Sequence, residues 1–194
     1  MVTTEQIKDL RDRTGVSVMQ CKKALEESGG DIEKALIILR KKSSEVALKK
    51  GDRTFKAGAI QSYIHSTGNV GVMVELLCET DFVSNNEEFK TLARDIAMHI
   101  AATNPKFARK EDIDEVSKTK AAEVFEAEVK DKPENVRAKI LEGKLDTYFS
   151  ELVLLDQPFV KNPEITVQGL IDNAMLKFGE KIEVSRFVRF MVLN

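Results

Sequence analysis

The sequence predicts an α+β protein in which a small helical N-terminal part precedes a linker and a larger mixed part. Three observations lead to this prediction. Apolar residues recur at helical spacing over the first forty residues, alternate with period two from Gly58, and return to helical spacing before a last alternating segment. We therefore divide the chain into a three-helix domain (1–40), a basic linker (41–57) and an α+β core (58–194), in which helices cover an antiparallel β hairpin or sheet.

The first forty residues predict three short amphipathic helices. Thr3–Gln6 and Ser17–Gln20 have the pattern of capping boxes, Gly29-Gly30 ends the second helix, and Asp31 is a suitable N-cap for the third. Each helix alone is marginal in water, so the three are expected to pack on one another. The expected core positions are Ile7, Leu10, Thr14, Val18, Cys21, Ala24, Leu25, Ile32, Ala35, Leu36 and Leu39.

The linker is strongly basic. Residues 40–56 contain seven basic and two acidic residues, a net charge of +5, with little apolar content. This composition favours a solvated linker, which could be helical in its middle. The alternative is an arm that contacts RNA phosphates, but the segment lacks the interleaved aromatic residues and RGG-type repeats of such arms.

A β hairpin opens the core. Val70, Val72, Val74, Leu76 and Cys78 alternate with other residues, which predicts a strand with one buried face. Residues 60–64 supply the preceding strand, and residues 66–69 have the composition of a turn. The pattern also places Cys78 in a core.

A helix is predicted after the hairpin, with an apolar stripe from Phe89 to Ile100 and an end at Asn104-Pro105. His99 lies off this stripe, and we expect it to face solvent or an edge of the packing. Phe82 lies in the connection between strand and helix. It either packs beneath the hairpin or forms an exposed aromatic wedge that suits a partner's pocket.

The remainder is predicted to be helical up to a final strand. Residues 111–132 indicate a surface helix, a second begins at Pro133 and ends at Gly143, and a third covers residues 145–155. The last helix runs from Thr166 to Gly179. In the strand over residues 182–191, we expect Ile182, Val184, Val188 and Phe190 on one face and Phe187 and Met191 on the other. Two apolar faces favour a central or interface position.

Charge and composition exclude several classes of protein. Thirty Lys and Arg residues against thirty-two Asp and Glu residues give a net charge of −2, which is not that of a basic nucleic-acid binder. The charge is divided unevenly, with +4 over residues 1–57 and −6 over the rest. Apolar runs are far shorter than the ~20 residues of a membrane span, no secretory signal is visible, and two cysteines outside any CxxC pair fit a reducing, cytoplasmic setting.

Catalytic motifs are absent from the sequence. It has no GxxxxGK[ST] or GxGxxG phosphate loop, no HExxH and no CxxC, and it contains two histidines. We therefore expect a protein that is not an enzyme and that has no cofactor and no metal site. Periodicity alone leads no further than a two-part binding protein.

Three stretches of the chain together resemble the bacterial elongation factor Ts family, in its short form. In chain order they are Leu10–Val16 with Met19, Cys21–Glu26 and Gly30–Ala35; Cys78–Val83 with Leu92–Ala93 and Ile96–Ala101; and Gly143–Leu145, Leu154–Val160 and Arg186–Phe190. The match covers nearly the whole chain. It implies that residues 1–40 form a ubiquitin-associated-like three-helix domain.

The resemblance also implies a function, namely guanine-nucleotide exchange on elongation factor Tu. The family displaces the partner's Mg²⁺ with a loop that matches Thr80, Asp81, Phe82 and Val83. Carried over in the same way, Arg11, Val18, Met19 and Lys22 are candidates to dock the partner's GTP-binding domain. For Met19 the alternative is packing within the small domain.

Oligomeric state and nucleic-acid binding are further expectations. Long members of the family have two related core halves and a coiled-coil insertion, whereas this sequence shows one hairpin–helix unit and no heptad run. A single half implies a homodimer, with the strand at 182–191 as an interface element. No direct contact with nucleic acid is expected. The alternative function is a non-catalytic adaptor that binds protein through the three helices and RNA through the basic linker.

Overall fold

The N-terminal part of the computed structural model, which describes residues 2–193, consists of three helices. They are α1 (Thr4–Thr14), α2 (Val18–Glu27) and α3 (Ile32–Lys49). The Thr3 capping box forms as predicted, and the chain turns after α1 at Gly15, whose φ of 68° suits glycine. Cys21 lies in the predicted core. The buried cluster comprises Leu10, Val16, Cys21, Ala24, Leu25, Ala35, Leu36 and Leu39.

The first half of the segment predicted as a solvated linker from residue 41 is helical, and two of its polar side chains are buried. Helix α3 continues to Lys49, and Ser43 and Lys50 are buried. These polar residues have partners: the Ser43 hydroxyl donates to Asn173 Oδ1 at 2.8 Å, and Lys50 Nζ donates to the Gly179 carbonyl at 2.6 Å. A buried face built from hydrogen-bonded polar side chains gives no apolar stripe in the sequence. The division at residues 40 and 57 stays a prediction.

The α+β core contains a three-stranded antiparallel sheet in the order β1-β2-β5. Its strands are β1 (Ala57–Ile64), β2 (Val70–Cys78) and β5 (Glu183–Met191). The predicted hairpin is confirmed, with Ala57 opposite Cys78 and Ile64 opposite Gly71. After the hairpin come α4 (Asp81–Ser84) and α5 (Glu87–Thr103). Val72, Val74, Leu76 and Cys78 on β2 share one buried cluster with Phe89, Ile96 and Ile100 of α5.

The last strand differs from its prediction in its faces, and its place in the sheet excludes one of the two predicted positions. Within the described residues β5 lies at an edge of the sheet, because β2 takes the central place, and an interface position stays a prediction. The ladder also shifts between Glu75 and Leu76, whose partners are Arg186 and Val184, so Ser185 is a bulge. One extra residue reverses the alternation of faces. Val184 is therefore buried, whereas Val188 is exposed, and the two do not share a face.

Helices α6 (Glu115–Val129) and α7 (Glu134–Leu152) pack on each other as a helical hairpin, and α7 is one helix where two were predicted, over residues 133–143 and 145–155. Gly143 lies inside α7 and does not end it. A single glycine costs a helix only ~1 kcal/mol, and pairing with α6 offsets that cost. The hairpin has a small core of its own, formed by Ile113, Ala121, Phe149 and Val153.

The chain then returns to the sheet. A short ribbon of β3 (Pro158–Phe159) and β4 (Asn162–Thr166) leads into α8 (Val167–Phe178), which ends at Gly179 in the left-handed conformation. Helix α8 packs on α3 and adds Val167, Ile171 and Met175 to the sheet's core.

The expectation that His99 faces solvent is wrong, because its side chain is fully buried. The Val160 N–H donates to Nδ1 at 3.2 Å, which leaves Nε2–H to donate to Gln157 Oε1 at 2.8 Å. Burial lowers the pKa of His99, although the hydrogen bond to Gln157 opposes that shift. The partners of His99 lie about sixty residues away, so the local helical pattern does not show them.

Candidate partner-binding site

The segment Thr80–Val83, called here the Phe82 turn, connects β2 to α5 through the single turn of α4. Thr80 is the N-cap of α4 and accepts a long hydrogen bond of 3.5 Å from the Val83 N–H. Val83 is buried in the core of the sheet, whereas Phe82 is 83% exposed. The structure therefore excludes packing of Phe82 beneath the hairpin and leaves an exposed aromatic ring beside the exposed Asp81.

Glu180 holds the backbone of the Phe82 turn. Its carboxylate accepts hydrogen bonds from the N–H groups of Glu79 and Thr80, both at 3.0 Å, and from the Thr80 hydroxyl at 2.5 Å. Hydrogen bonds to an ionised acceptor are stronger than neutral ones. The sequence does not indicate this role, since Glu180 is one charged residue after a helix-ending glycine, one hundred residues from Thr80.

The Glu79 carboxylate joins the same two segments of the chain the other way round, with the acceptor on the side of the turn and the donor after Glu180. Glu79 accepts from the Lys181 N–H at 2.6 Å and from Arg53 Nη1 at 3.1 Å. Burial acts to raise the pKa of Glu79, but the Lys181 N–H and the Arg53 guanidinium outweigh it, and the net shift is downward. Residues 79–80 and 180–181 are thus joined by reciprocal hydrogen bonds.

Cys78 completes the support. Its thiol donates to the Thr80 carbonyl at 3.2 Å. Burial, together with the nearby Glu180 carboxylate, raises the pKa of Cys78 to about 11, so the thiol stays protonated at neutral pH and keeps its donor. The N–H and hydroxyl of Thr80 thus donate to Glu180, and its carbonyl accepts from Cys78, so three hydrogen bonds hold the start of the turn.

A second exposed surface lies on the first two helices. Arg11 on α1 and Val18, Met19 and Lys22 on α2 are all exposed and flank the turn at Gly15; we call them the α1–α2 patch. Met19 is 75% exposed, so its packing within the small domain is excluded. Val18, expected on the buried face of α2, is 50% exposed because it lies at the first turn of the helix.

The described residues offer no metal site or membrane span. No group of three or more His, Cys, Asp or Glu side chains within residues 2–193 is placed to hold a metal ion. No helix in the same range is long and apolar enough to cross a membrane.

Comparison with known proteins identifies the class of the chain as a translation elongation factor. The family model described as "Elongation factor TS" matches residues 5–193. The elongation factor Ts of Thermodesulfovibrio yellowstonii is 52% identical over 192 residues, which cover 98% of this chain and 96% of that protein. The elongation factors Ts of Carboxydothermus hydrogenoformans and Thermosipho melanesiensis are 48% and 47% identical, with coverage of 98% and 99% of this chain and 88% and 99% of the relative. The chain belongs to the elongation factor Ts family.

Proposed function

We propose that the protein is a guanine-nucleotide exchange factor for elongation factor Tu and promotes GDP release by disturbing the partner's Mg²⁺ and phosphate site. One observation carries the proposal: the Phe82 ring is exposed on a turn whose backbone is held by hydrogen bonds to the Glu180 carboxylate. A rigidly held exposed aromatic side chain is suited to entering a pocket of a partner. Membership of the elongation factor Ts family supports the same function.

The proposed mechanism requires only that the elements holding the partner's Mg²⁺ be displaced. Mg²⁺ bridges and neutralises the nucleotide phosphates, so movement of the elements that hold it weakens GDP binding. Phe82 inserts and forces that movement, and the neighbouring Asp81 carboxylate repels phosphate or orients the turn. The factor needs only to bind the nucleotide-free GTPase more tightly than the GDP form. Each ~1.4 kcal/mol of difference loosens GDP tenfold, and GDP loosens the factor equally. No catalytic side chain is required, and the protein is not an enzyme under this proposal.

The α1–α2 patch supplies the docking contact in this scheme. Val18 and Met19 offer apolar area, and Arg11 and Lys22 offer positive charge at its edge. Methionine is unbranched and adapts to irregular surfaces, which suits a partner that changes shape during exchange.

A homodimer is the second part of the proposal. One face of the sheet, called here the outer sheet face, carries exposed Ile60, Ile64, Met73, Val188 and Phe190 with no described element packed over it. An apolar patch of this kind marks an interface, and a second copy of the chain would cover it. Sedimentation equilibrium of the intact protein should give twice the chain mass, and Phe190→Lys should shift it to the monomer. A monomeric wild-type protein contradicts this part alone.

The contacts of the basic segment favour exchange over the RNA-adaptor alternative. Lys50 is buried against Gly179, and Arg53 is paired with Glu79. Because these two cations bind groups of the protein itself, fewer basic side chains of the segment are available to bind RNA phosphates. The adaptor predicts salt-sensitive RNA binding that is lost when Lys49, Lys50 and Arg53 are neutralised.

The decisive experiment measures release of a fluorescent GDP analogue from bacterial elongation factor Tu. Substoichiometric amounts of the protein should accelerate release, because each molecule acts repeatedly. A rate equal to spontaneous release at all factor concentrations would refute the proposed function.

A further inference from the structure

We propose that α8 and the segment Gly179–Lys181 form one rigid support that fixes the α1–α2 patch and the Phe82 turn relative to each other, with Glu180 as the positioning residue of the turn. This inference rests on the proposed exchange function and adds residues that belong to neither of the two exposed surfaces. It follows from hydrogen bonds at two places along one short stretch of chain.

The middle of α8 binds all three N-terminal helices. The buried Asn173 side chain accepts from the Ser43 hydroxyl of α3 at 2.8 Å and donates to the Thr14 carbonyl of α1 at 3.2 Å. One turn further on, the Leu176 carbonyl accepts from the Gln20 amide of α2 at 3.2 Å. The Leu176 side chain packs against the core of the three-helix domain. Gln20 directly follows the exposed Met19, so α8 touches the underside of the α1–α2 patch.

The C-terminal end of α8 binds the turn. Gly179 accepts from the Lys50 ammonium at the end of α3, and the next residue, Glu180, accepts the three hydrogen bonds from Glu79 and Thr80. Lys181 then donates from its backbone to Glu79.

The two attachment points are close together. Asn173 lies five residues before the last residue of α8, Phe178, a helical span of about 7.5 Å, and Glu180 follows two residues later. So short a piece of helix does not bend appreciably, and hydrogen bonds on both sides of Gly179 hold the two residues after it, so these contacts set the relative position of the two surfaces. A partner that binds the α1–α2 patch therefore meets Phe82 at a fixed place, which raises the effective concentration of the ring at its target.

The support predicts two separable defects in exchange. Without Glu180 the docking patch is intact but the turn loosens, so the maximal rate of GDP release falls while the half-saturating concentration changes little. Without Asn173 the turn is intact but the N-terminal helices are less firmly held, so the half-saturating concentration rises while the maximal rate is kept. If both residues only stabilised the fold, both variants would lower the maximal rate through a smaller active fraction, and neither would change the half-saturating concentration. The kinetics therefore distinguish the two roles at Asn173, and amide hydrogen exchange distinguishes them at Glu180.

The experiment compares the variants Glu180→Ala and Asn173→Ala with wild type, with Glu142→Ala on exposed α7 as a matched control. We expect Glu180→Ala to lower the maximal rate about tenfold or more, and Asn173→Ala to raise the half-saturating concentration about tenfold, since each change removes two or three hydrogen bonds. A wild-type maximal rate for Glu180→Ala, or the same kinetic parameter changed by both variants, overturns the inference.

Amide hydrogen exchange separates this inference from the proposed function. In Glu180→Ala the N–H groups of Glu79 and Thr80 should lose protection, a change that is measured without any partner. Retained protection overturns the role of Glu180 even if the wild-type protein is active. If Glu180→Ala fails to fold, Thr80→Ala weakens the same contact, because it removes one of the three hydrogen bonds to Glu180 together with the N-cap bond from the Val83 N–H, and Thr80→Ser should restore both. Equal rates for the two Thr80 variants would then contradict the proposal.

Discussion

The Phe82 turn and the α1–α2 patch both expose apolar side chains, but different contacts hold them in place. The patch lies on two regular helices of 11 and 10 residues. The turn is a single helical turn that depends on Cys78, Glu79 and Glu180. A helix surface tolerates loss of a side chain, whereas a short turn keeps its shape only while distant residues hold it. The α1–α2 patch is therefore suited to binding the partner tightly. The Phe82 turn is suited to displacing the partner's Mg²⁺-holding elements, which requires the ring at one fixed place.

The largest expected effect is that of Phe82→Ala. The ring is exposed and contributes nothing to the core, so the variant should fold like wild type and lose most of the exchange activity. A central aromatic contact of this kind is worth ~2 kcal/mol or more, so the maximal rate of GDP release should fall about thirtyfold. Stopped-flow release of fluorescent GDP measures it.

Val116→Ala is the matched control for Phe82→Ala. Val116 is also exposed, but it lies on α6 outside both surfaces, and its replacement should leave the rate unchanged. If Phe82→Ala exchanged nucleotide at the wild-type rate, the turn would not be the displacing element. If the Phe82→Ala variant instead lost the far-UV circular dichroism signal of its helices, Phe82 would have a structural role.

Met19→Ala should have a smaller effect, and on a different parameter. Truncation of one adaptable contact in a docking surface costs about 1 kcal/mol, so the half-saturating concentration should rise about fivefold with an unchanged maximal rate. Titration of elongation factor Tu with the variant, at fixed nucleotide, measures both quantities. A fall in the maximal rate alone would contradict the division of roles between the two surfaces.

The difference between the surfaces also explains which of them the sequence could predict. Exposure of Lys22 follows from helical periodicity around Cys21 and Leu25, because the pattern is local. The buried side of β2 follows from alternation for the same reason. The support of the Phe82 turn does not follow, since its key acceptor is one hundred residues away.

The remaining errors in the predicted fold have the same origin. The sequence pattern does not show the end of α3, because the buried face of that helix contains Ser43, a polar residue that hydrogen-bonds to α8. It does not show the faces of β5 either, because the bulge at Ser185 depends on the partner strand. Sequence patterns indicate which apolar residues are buried. They do not indicate which distant polar group a side chain will bind.

The smallest expected effect concerns His99, which lies away from both surfaces and provides a test of their independence. Its pKa is lowered by burial, so the folded state binds fewer protons than the unfolded state, and stability rises with pH. The contribution of His99 to stability is complete above the unfolded pKa of about 6.5 and is lost as the pH falls toward the folded value, at no more than ~1.4 kcal/mol per pH unit.

The variant His99→Gln tests this, because glutamine does not titrate. Urea unfolding at pH 7.5 and 5 should therefore show a smaller loss of stability in this variant than in wild type, while GDP release at pH 7.5 stays the same for both. An equal pH dependence would mean that His99 is protonated in the fold, and a change in GDP release would mean that the interior near Gln157 is coupled to the exchange surfaces.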